Sequence, residues 1–206
     1  MAQGFFILKR WNLADIINAL NSFEKLLDLE YQFVLGRKNK LITLYVEFQK
    51  LHFFHLAGLQ YLKDLPRLAL SAESIFEQLK AGDISSSYIE SSKNYDFINK
   101  RIEYLPRLEE IFDSNDTIFR YNSSLQAFSV IEADFLMKNT TKSTTLFTFL
   151  SKGKNGKYFC KSFFSDDKKD YSERQTRWTV LLKKKIHKSA KTEEILYTSK
   201  LKSSNV

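Results

Sequence analysis

The apolar residues of this chain change their spacing once, near Ser114, and that change limits the folds open to it. Upstream they recur three and four residues apart: Leu13, Ile16, Ile17, Leu20 and Leu27 behind Asn12, then Ile75, Phe76 and Leu79 between Ser71 and Gly82. Ile98, Ile102, Leu105, Leu108, Ile111 and Phe112 continue the pattern beyond Asn94. Such spacing lays one apolar stripe along a helix. Downstream the period falls to two, as in a strand with one buried face. The chain therefore reads as α+β. N-terminal helices over 1–114 are expected to pack on a mostly antiparallel C-terminal sheet drawn from 115–200, all in a single domain, with 201–206 as a frayed tail.

Local signals place the boundaries. Asn12 caps the first helix, with Asp15 favourably set in its first turn. Gly36-Arg37-Lys38-Asn39 is a polar turn, and Leu41–Phe48 is the one strand expected upstream, with Ile42, Leu44, Val46 and Phe48 on one face. A short helix over His52–Lys63 ends before Pro66, and Gly82 stops the helix that begins at Ser71. Asp83 caps a short turn, and Pro106 kinks or splits the helix that follows Asn94. Leu-Pro-Arg-Leu occurs at 65–68 and again at 105–108, too short a string to make a repeat. The expected later strands are Thr117–Tyr121, Leu125–Ile131, Thr145–Leu150, Lys157–Phe164, Trp178–Ile186 and Ile195–Ser199. Gly153-Lys154-Asn155-Gly156 makes a hairpin between the third and fourth of these, and Asp166–Arg174 is a polar loop.

Composition narrows the class. Of 206 residues, 43% are apolar and 15% aromatic, enough for a substantial core, and two prolines with six glycines argue against long linkers. The single cysteine, Cys160, can form neither an internal disulfide nor a multi-cysteine zinc site, so no metal and no cofactor is expected. No charged-then-apolar leader begins at Met1, and no apolar run approaches the roughly 20 residues of a membrane span, so no membrane partner is expected. A reducing cytoplasm is the simplest compartment. The net charge of +8 is unevenly placed. Residues 141–206 hold 16 Lys and Arg against 6 Asp and Glu, while 1–140 hold 16 against 18. A basic last third on a near-neutral body suits a polyanion such as nucleic acid, although a solvated basic face or an acidic lipid surface would share the pattern.

Several familiar motifs are absent, among them a phosphate-binding Walker loop, a dinucleotide glycine fingerprint, a Gly-x-Ser-x-Gly elbow and His-Glu-x-x-His. Chemistry concentrates instead in Leu51-His-Phe-Phe-His-Leu-Ala-Gly-Leu59, directly after the first strand. A spacing of three puts His52 and His55 on one face of the next helix, near its start. Imidazoles there titrate near neutrality and suit acid–base work. Buried helix-start histidines bonded to backbone would leave the same trace in a sequence. Gly58 permits a close approach, either of packing against the sheet or of a substrate.

RNA can be cut without a metal. A base takes the 2′-hydroxyl proton, a cation steadies the phosphorane, and an acid protonates the leaving 5′-oxygen. The cation candidates are Arg120, Lys161 and Lys183, each in an expected strand. Arg120 should face away from Phe119 and Tyr121. Lys161 shares a face with Phe159 and Phe163, as an edge-strand charge would, while Tyr158 and Ser162 lie on the other and could bond a phosphate. Lys183 and Lys185 alternate with Lys184 and, with Arg177, offer contacts to backbone phosphate or simply face solvent. Trp178, Tyr171, Phe163 and Phe164 stand among these basic residues as base-stacking candidates or as core.

Three strings carry a family resemblance: the strand running into His52-Phe-Phe-His55-Leu-Ala-Gly58-Leu, the segment Asp113-Ser-Asn-Asp-Thr-Ile-Phe-Arg120-Tyr, and Tyr158-Phe-Cys-Lys-Ser162-Phe-Phe. Over roughly residues 30–200 the chain resembles phage-associated members of the barnase–EndoU–colicin–RelE superfamily, in its PBECR group. The resemblance implies helices before a small antiparallel sheet and a metal-independent ribonuclease of a phage or mobile element, often a toxin or conflict effector with a neutralising protein partner. By the same resemblance His55 is the first catalytic candidate and His52 the second, followed by Arg120 and Ser162. A non-catalytic nucleic-acid-binding module and a protein–protein regulator are the competing classes.

Overall fold

In a computed structural model describing residues 15–114, 117–126, 129–140, 144–166 and 168–199, Asp15 is the N-cap of helix α1 (Ile16–Leu26). Its carboxylate accepts the Ile17 N–H at 2.8 Å. It therefore stands one position ahead of the first turn in which the sequence set it. Asn12 and Leu13, expected to open this helix, lie outside the described residues. Ile16, Ala19, Leu20, Phe23 and Leu26 are all buried, so the face chosen by helical spacing is the face that packs.

The next segment is a strand not expected above, although its Leu29, Tyr31, Phe33 and Leu35 alternate with Glu30, Gln32, Val34 and Gly36. β1 (Leu29–Arg37) pairs antiparallel with β2 (Lys40–Glu47) through a turn in which Lys38 and Asn39 have φ of 44° and 62°. Two successive residues at positive φ give a hairpin turn whose twist matches its strands. Leu29, Glu30 and Tyr31 are consecutive and all buried. From Tyr31 onward burial alternates, with Tyr31, Phe33 and Leu35 buried and Gln32, Val34 and Gly36 half-buried.

Helix α2 (Lys50–Leu56) is shorter than expected, because Gly58 turns to φ 81° and opens a 3-10 turn at Leu59–Tyr61. α3 (Ala72–Ala81) has the expected punctuation: the Ser71 hydroxyl accepts the Ser74 N–H, and Gly82 is left-handed. α4 (Ser86–Glu90) is capped by Ser85 rather than Asp83. α5 (Asp96–Tyr104) and α6 (Leu108–Asp113) are separated by a 3-10 turn containing Pro106.

The remaining strands are β3 (Thr117–Arg120), β4 (Phe135–Thr140), β5 (Thr145–Lys152), β6 (Tyr158–Ser165), β7 (Thr176–His187) and β8 (Thr192–Thr198). Leu125–Ile131 forms no strand among its described residues; Ser123–Leu125 is a 3-10 turn. β4 takes that place in the sheet. Its Phe135 and Met137 join the main core, while Leu136 joins a second cluster with Tyr121, Phe147 and Phe149. Core on both faces removes the alternation that marks a strand.

Strand order is β1-β2-β6-β5-β4-β3-β7, and β7 returns to pair with β1. The mostly antiparallel sheet on which the helices were expected to pack is a closed seven-strand barrel, with β8 beyond the ring on β7. Every pairing is antiparallel except β2 with β6, which meet in parallel at the single bridge Val46–Tyr158. Closure depends on β1, so it could not be foreseen without that strand.

Lys183 and Lys185, expected to contact phosphate or solvent, turn inward and are only 1% and 6% exposed. They pair across the ladder with Phe33 and Tyr31. Lys183 Nζ donates to the Phe112 carbonyl at 2.8 Å and to that of Ser114. Lys185 Nζ meets Glu109 at 2.6 Å and Asp113 at 2.9 Å, and Asp113 also accepts the Tyr31 hydroxyl at 2.6 Å. Burial opposes the Lys185 charge, yet its two carboxylates hold the ammonium above the ordinary lysine range. Lys183 thus meets the carbonyl end of α6, where the helix is negative and its last acceptors lack internal donors, while Lys185 is held by two carboxylates of the same helix. Replacing Lys183 with Met should lower stability by about 1–3 kcal/mol, the usual penalty for leaving buried acceptors unmade. Urea denaturation checks this, and wild-type stability in the variant would contradict it.

Candidate functional site

Gln49 and His52 open α2 with reciprocal bonds. His52 Nδ1 accepts the Gln49 N–H at 3.1 Å, while the Gln49 side chain accepts the His52 N–H. This is a capping box with histidine where glutamate or glutamine more often stands. The His52 ring is 7% exposed and stacks on Phe159 at 4.8 Å, with 14° between planes. Burial pushes its pKa down to about 4, against the pull of nearby Glu47. The ring is thus neutral at pH 7, and with Nδ1 accepting, Nε2 carries the proton. His55, one turn later, is exposed and sets its ring edge-on to Phe54 at 5.4 Å.

Facing α2 is β6, whose alternation breaks at Lys161. Phe149 pairs with Ser162 and Leu150 with Cys160, so Lys161 is the extra residue of a β-bulge. The bulge lets Cys160 and Phe163, three apart, both turn into the core while Lys161 is left exposed. Lys161 therefore does not share the face of Phe163, as strict alternation would require. Burial pushes the Cys160 thiol well above its usual range, which makes it a packing residue rather than a nucleophile.

Between α2 and β6 lies a cavity of about 430 Å3. Its polar lining comprises His52, His55, Gln60, Tyr61, Lys161 and Ser162, with Phe159, Leu51, Val130 and Ile131 as apolar wall. Four residues singled out from the sequence thus converge here. The other five do not line the cavity. Arg120 pairs with Asp134 at 3.2 Å and covers the Phe135 ring, and Tyr158 sets its edge on that same ring. Arg177 is exposed on β7 opposite Phe119, and Lys183 and Lys185 are buried against α6.

Two residues of interest escaped the sequence reading. Gln60 lines the cavity, and its Oε1 is buried without a hydrogen-bond partner among the described residues. Arg101 on α5 donates to the Phe163 carbonyl at 2.9 Å and lies over Tyr61. A signal existed for Arg101: it falls on the apolar stripe, three residues after Ile98 and next to Ile102. Gly58 packs against this helix rather than the sheet. Among the described residues no group of three His, Cys, Asp or Glu side chains is arranged to hold a metal, and no helix is long and apolar enough to cross a membrane.

The fold is thus an α+β barrel in which two imidazoles, the bulged Lys161 and the Ser162 hydroxyl line one cavity. The model of the PBECR4 family, phage-Barnase-EndoU-ColicinE5/D-RelE like nuclease4, matches residues 15–200, and the chain belongs to that family. The resemblance seen in three short strings thus extends over most of the chain, and the family implies a nucleic-acid substrate. No curated protein and no solved structure matches it.

The depressed pKa of His52 makes stability depend on pH. The unfolded chain takes up this proton near pH 6.5 and the folded one near 4, so the stabilisation is complete above about 6.5 and is lost as pH falls toward about 4. Between about pH 7 and pH 5 this group should remove about 2 kcal/mol. His52→Gln, which retains the capping geometry, should flatten that part of the profile. Equal pH profiles for the two proteins in urea titrations would refute the assignment.

Proposed function

We propose that this phage-type nuclease domain is an endoribonuclease that cleaves by metal-independent transesterification. The observation that carries this reading is the convergence of His52, His55, Lys161 and Ser162 on one cavity. His55, the exposed imidazole, is the general base that takes the 2′-hydroxyl proton. The 2′-oxygen then attacks the adjacent phosphorus, and charge gathers on the non-bridging oxygens, where the Lys161 ammonium and the Ser162 hydroxyl stabilise it. His52 is neutral and donates from Nε2, positioning the phosphate rather than exchanging protons. The 5′-oxygen leaves with a proton from solvent in the open cleft, and a 2′,3′-cyclic phosphate remains. In its biological setting the domain acts in the cytoplasm as a phage or mobile-element toxin, a conflict effector restrained by a neutralising protein partner.

A binding-only module is the competing reading, favoured by one observation: His52 serves as a helix cap and Lys183 and Lys185 serve internal partners. Labelled RNA incubated in excess EDTA separates the two. The wild type should cut RNA but not DNA and leave cyclic-phosphate ends. His55→Ala and Lys161→Ala should each lose about a hundredfold or more in rate while staying folded. Salt-sensitive retention of RNA without cutting would favour the binding module. Undiminished cutting by His55→Ala would move the chemistry elsewhere.

A further inference from the structure

Arg101 carries a charge that the fold leaves unbalanced. Among the described residues its only hydrogen bond is from Nη1 to the Phe163 carbonyl, and no carboxylate pairs with it. Its guanidinium lies between aromatic rings, 5.6 Å from the centre of Tyr61 and 5.3 Å from that of Phe164. Desolvating an unpaired cation is unfavourable, and such groups collect at functional sites. The backbone makes room for this one. A Cβ on Gly58 would come within 2.9 Å of Arg101 Cδ and 2.8 Å of Ile98 Cγ2, at a φ of 81° that side chains rarely adopt.

A cavity of about 390 Å3 opens over the guanidinium, lined by Tyr61, Asn94, Phe97 and Arg101. Phe97 is 73% exposed, a large apolar face held in water with no packing role to explain it. Tyr61 lines both this cavity and the histidine cleft, so the two are neighbours.

We propose that this cavity is a second nucleotide subsite, in which Arg101 binds a backbone phosphate of the strand held in the histidine cleft and the adjoining base stacks on Phe97. The inference rests on the nucleic-acid reading of that cleft and deepens it. The remaining N–H groups of a guanidinium match phosphate oxygens, and ring stacking takes any base. A base must leave a duplex to stack on a protein ring, so the subsite selects single-stranded or looped RNA.

The test uses fluorescence anisotropy with a short single-stranded 2′-O-methyl oligoribonucleotide, which cannot be cut because its nucleophile is blocked. Phe97→Ala removes an exposed ring and should fold normally, yet bind about tenfold more weakly. Arg101→Met should weaken binding about ten- to a hundredfold and reduce the slope of affinity against salt by about one. Its thermal midpoint should fall modestly, because the Phe163 carbonyl loses its donor while an unpaired charge also leaves. Wild-type affinity in either folded variant overturns the subsite while leaving the histidine cleft intact. Absence of salt-sensitive binding by the wild-type protein overturns the cleft reading and the subsite together.

Discussion

Strand β1 lies between β2 and β7, and that double pairing closes the ring on which everything else is arranged. Closure gives the strands an inside that must be filled. Phe112 of α6 fills part of it, 5.0 Å from Tyr31 and 5.2 Å from Phe48 between ring centres. Bringing α6 inward also buries its carbonyl end, which needs donors once water is excluded. Lys183 supplies them from β7, opposite Phe33 of β1, while Lys185, opposite Tyr31, is held by the carboxylates of Glu109 and Asp113. Burial together with the Asp113 bond holds the Tyr31 hydroxyl protonated far beyond its usual range, so it remains a donor.

The ring is least laddered between β2 and β6, where one bridge joins the strands. Side chains supplement that seam. Lys157 pairs with Glu30 and lies 3.5 Å from Glu47, and Asn155 donates to Glu47 at 2.8 Å. His52 stacks on Phe159 across the same join. The cleft opens here because the chain leaves β2 into α2 just as β6 bulges at Lys161. A fully paired ladder would have no room for it. The same seam therefore accounts for both the cavity and the cation aimed at it, and bulges are a common way to re-aim a side chain beside an active site.

The positive charge of the last third does not form one continuous face. Among the described residues Lys183 and Lys185 are engaged internally, Lys157 pairs with Glu30 and Lys184 with Glu193. Composition counts charges but not their directions. Alternation correctly separated Lys184 from its two neighbours, yet it could not tell which side was the interior, because that depends on a strand about 150 residues earlier. The charge that reaches the cleft comes from one bulged lysine, with Arg101 in the cavity beside it.

What the sequence determined by itself was local. Ser71 and Gly82 mark α3, Pro106 separates α5 from α6, Gly153–Gly156 turns β5 into β6, and a spacing of three brings His52 and His55 to one cleft. Each of these depends on backbone preferences within a few residues. Only the tertiary structure decided that β4 is a strand, that β1 joins β2 to β7 and closes the sheet, that Lys161 bulges outward and that Lys183 turns inward. Residues covered on both faces lose the periodicity that reports a single buried face. The direction of a lysine follows from partners far away in the chain, which spacing alone does not encode.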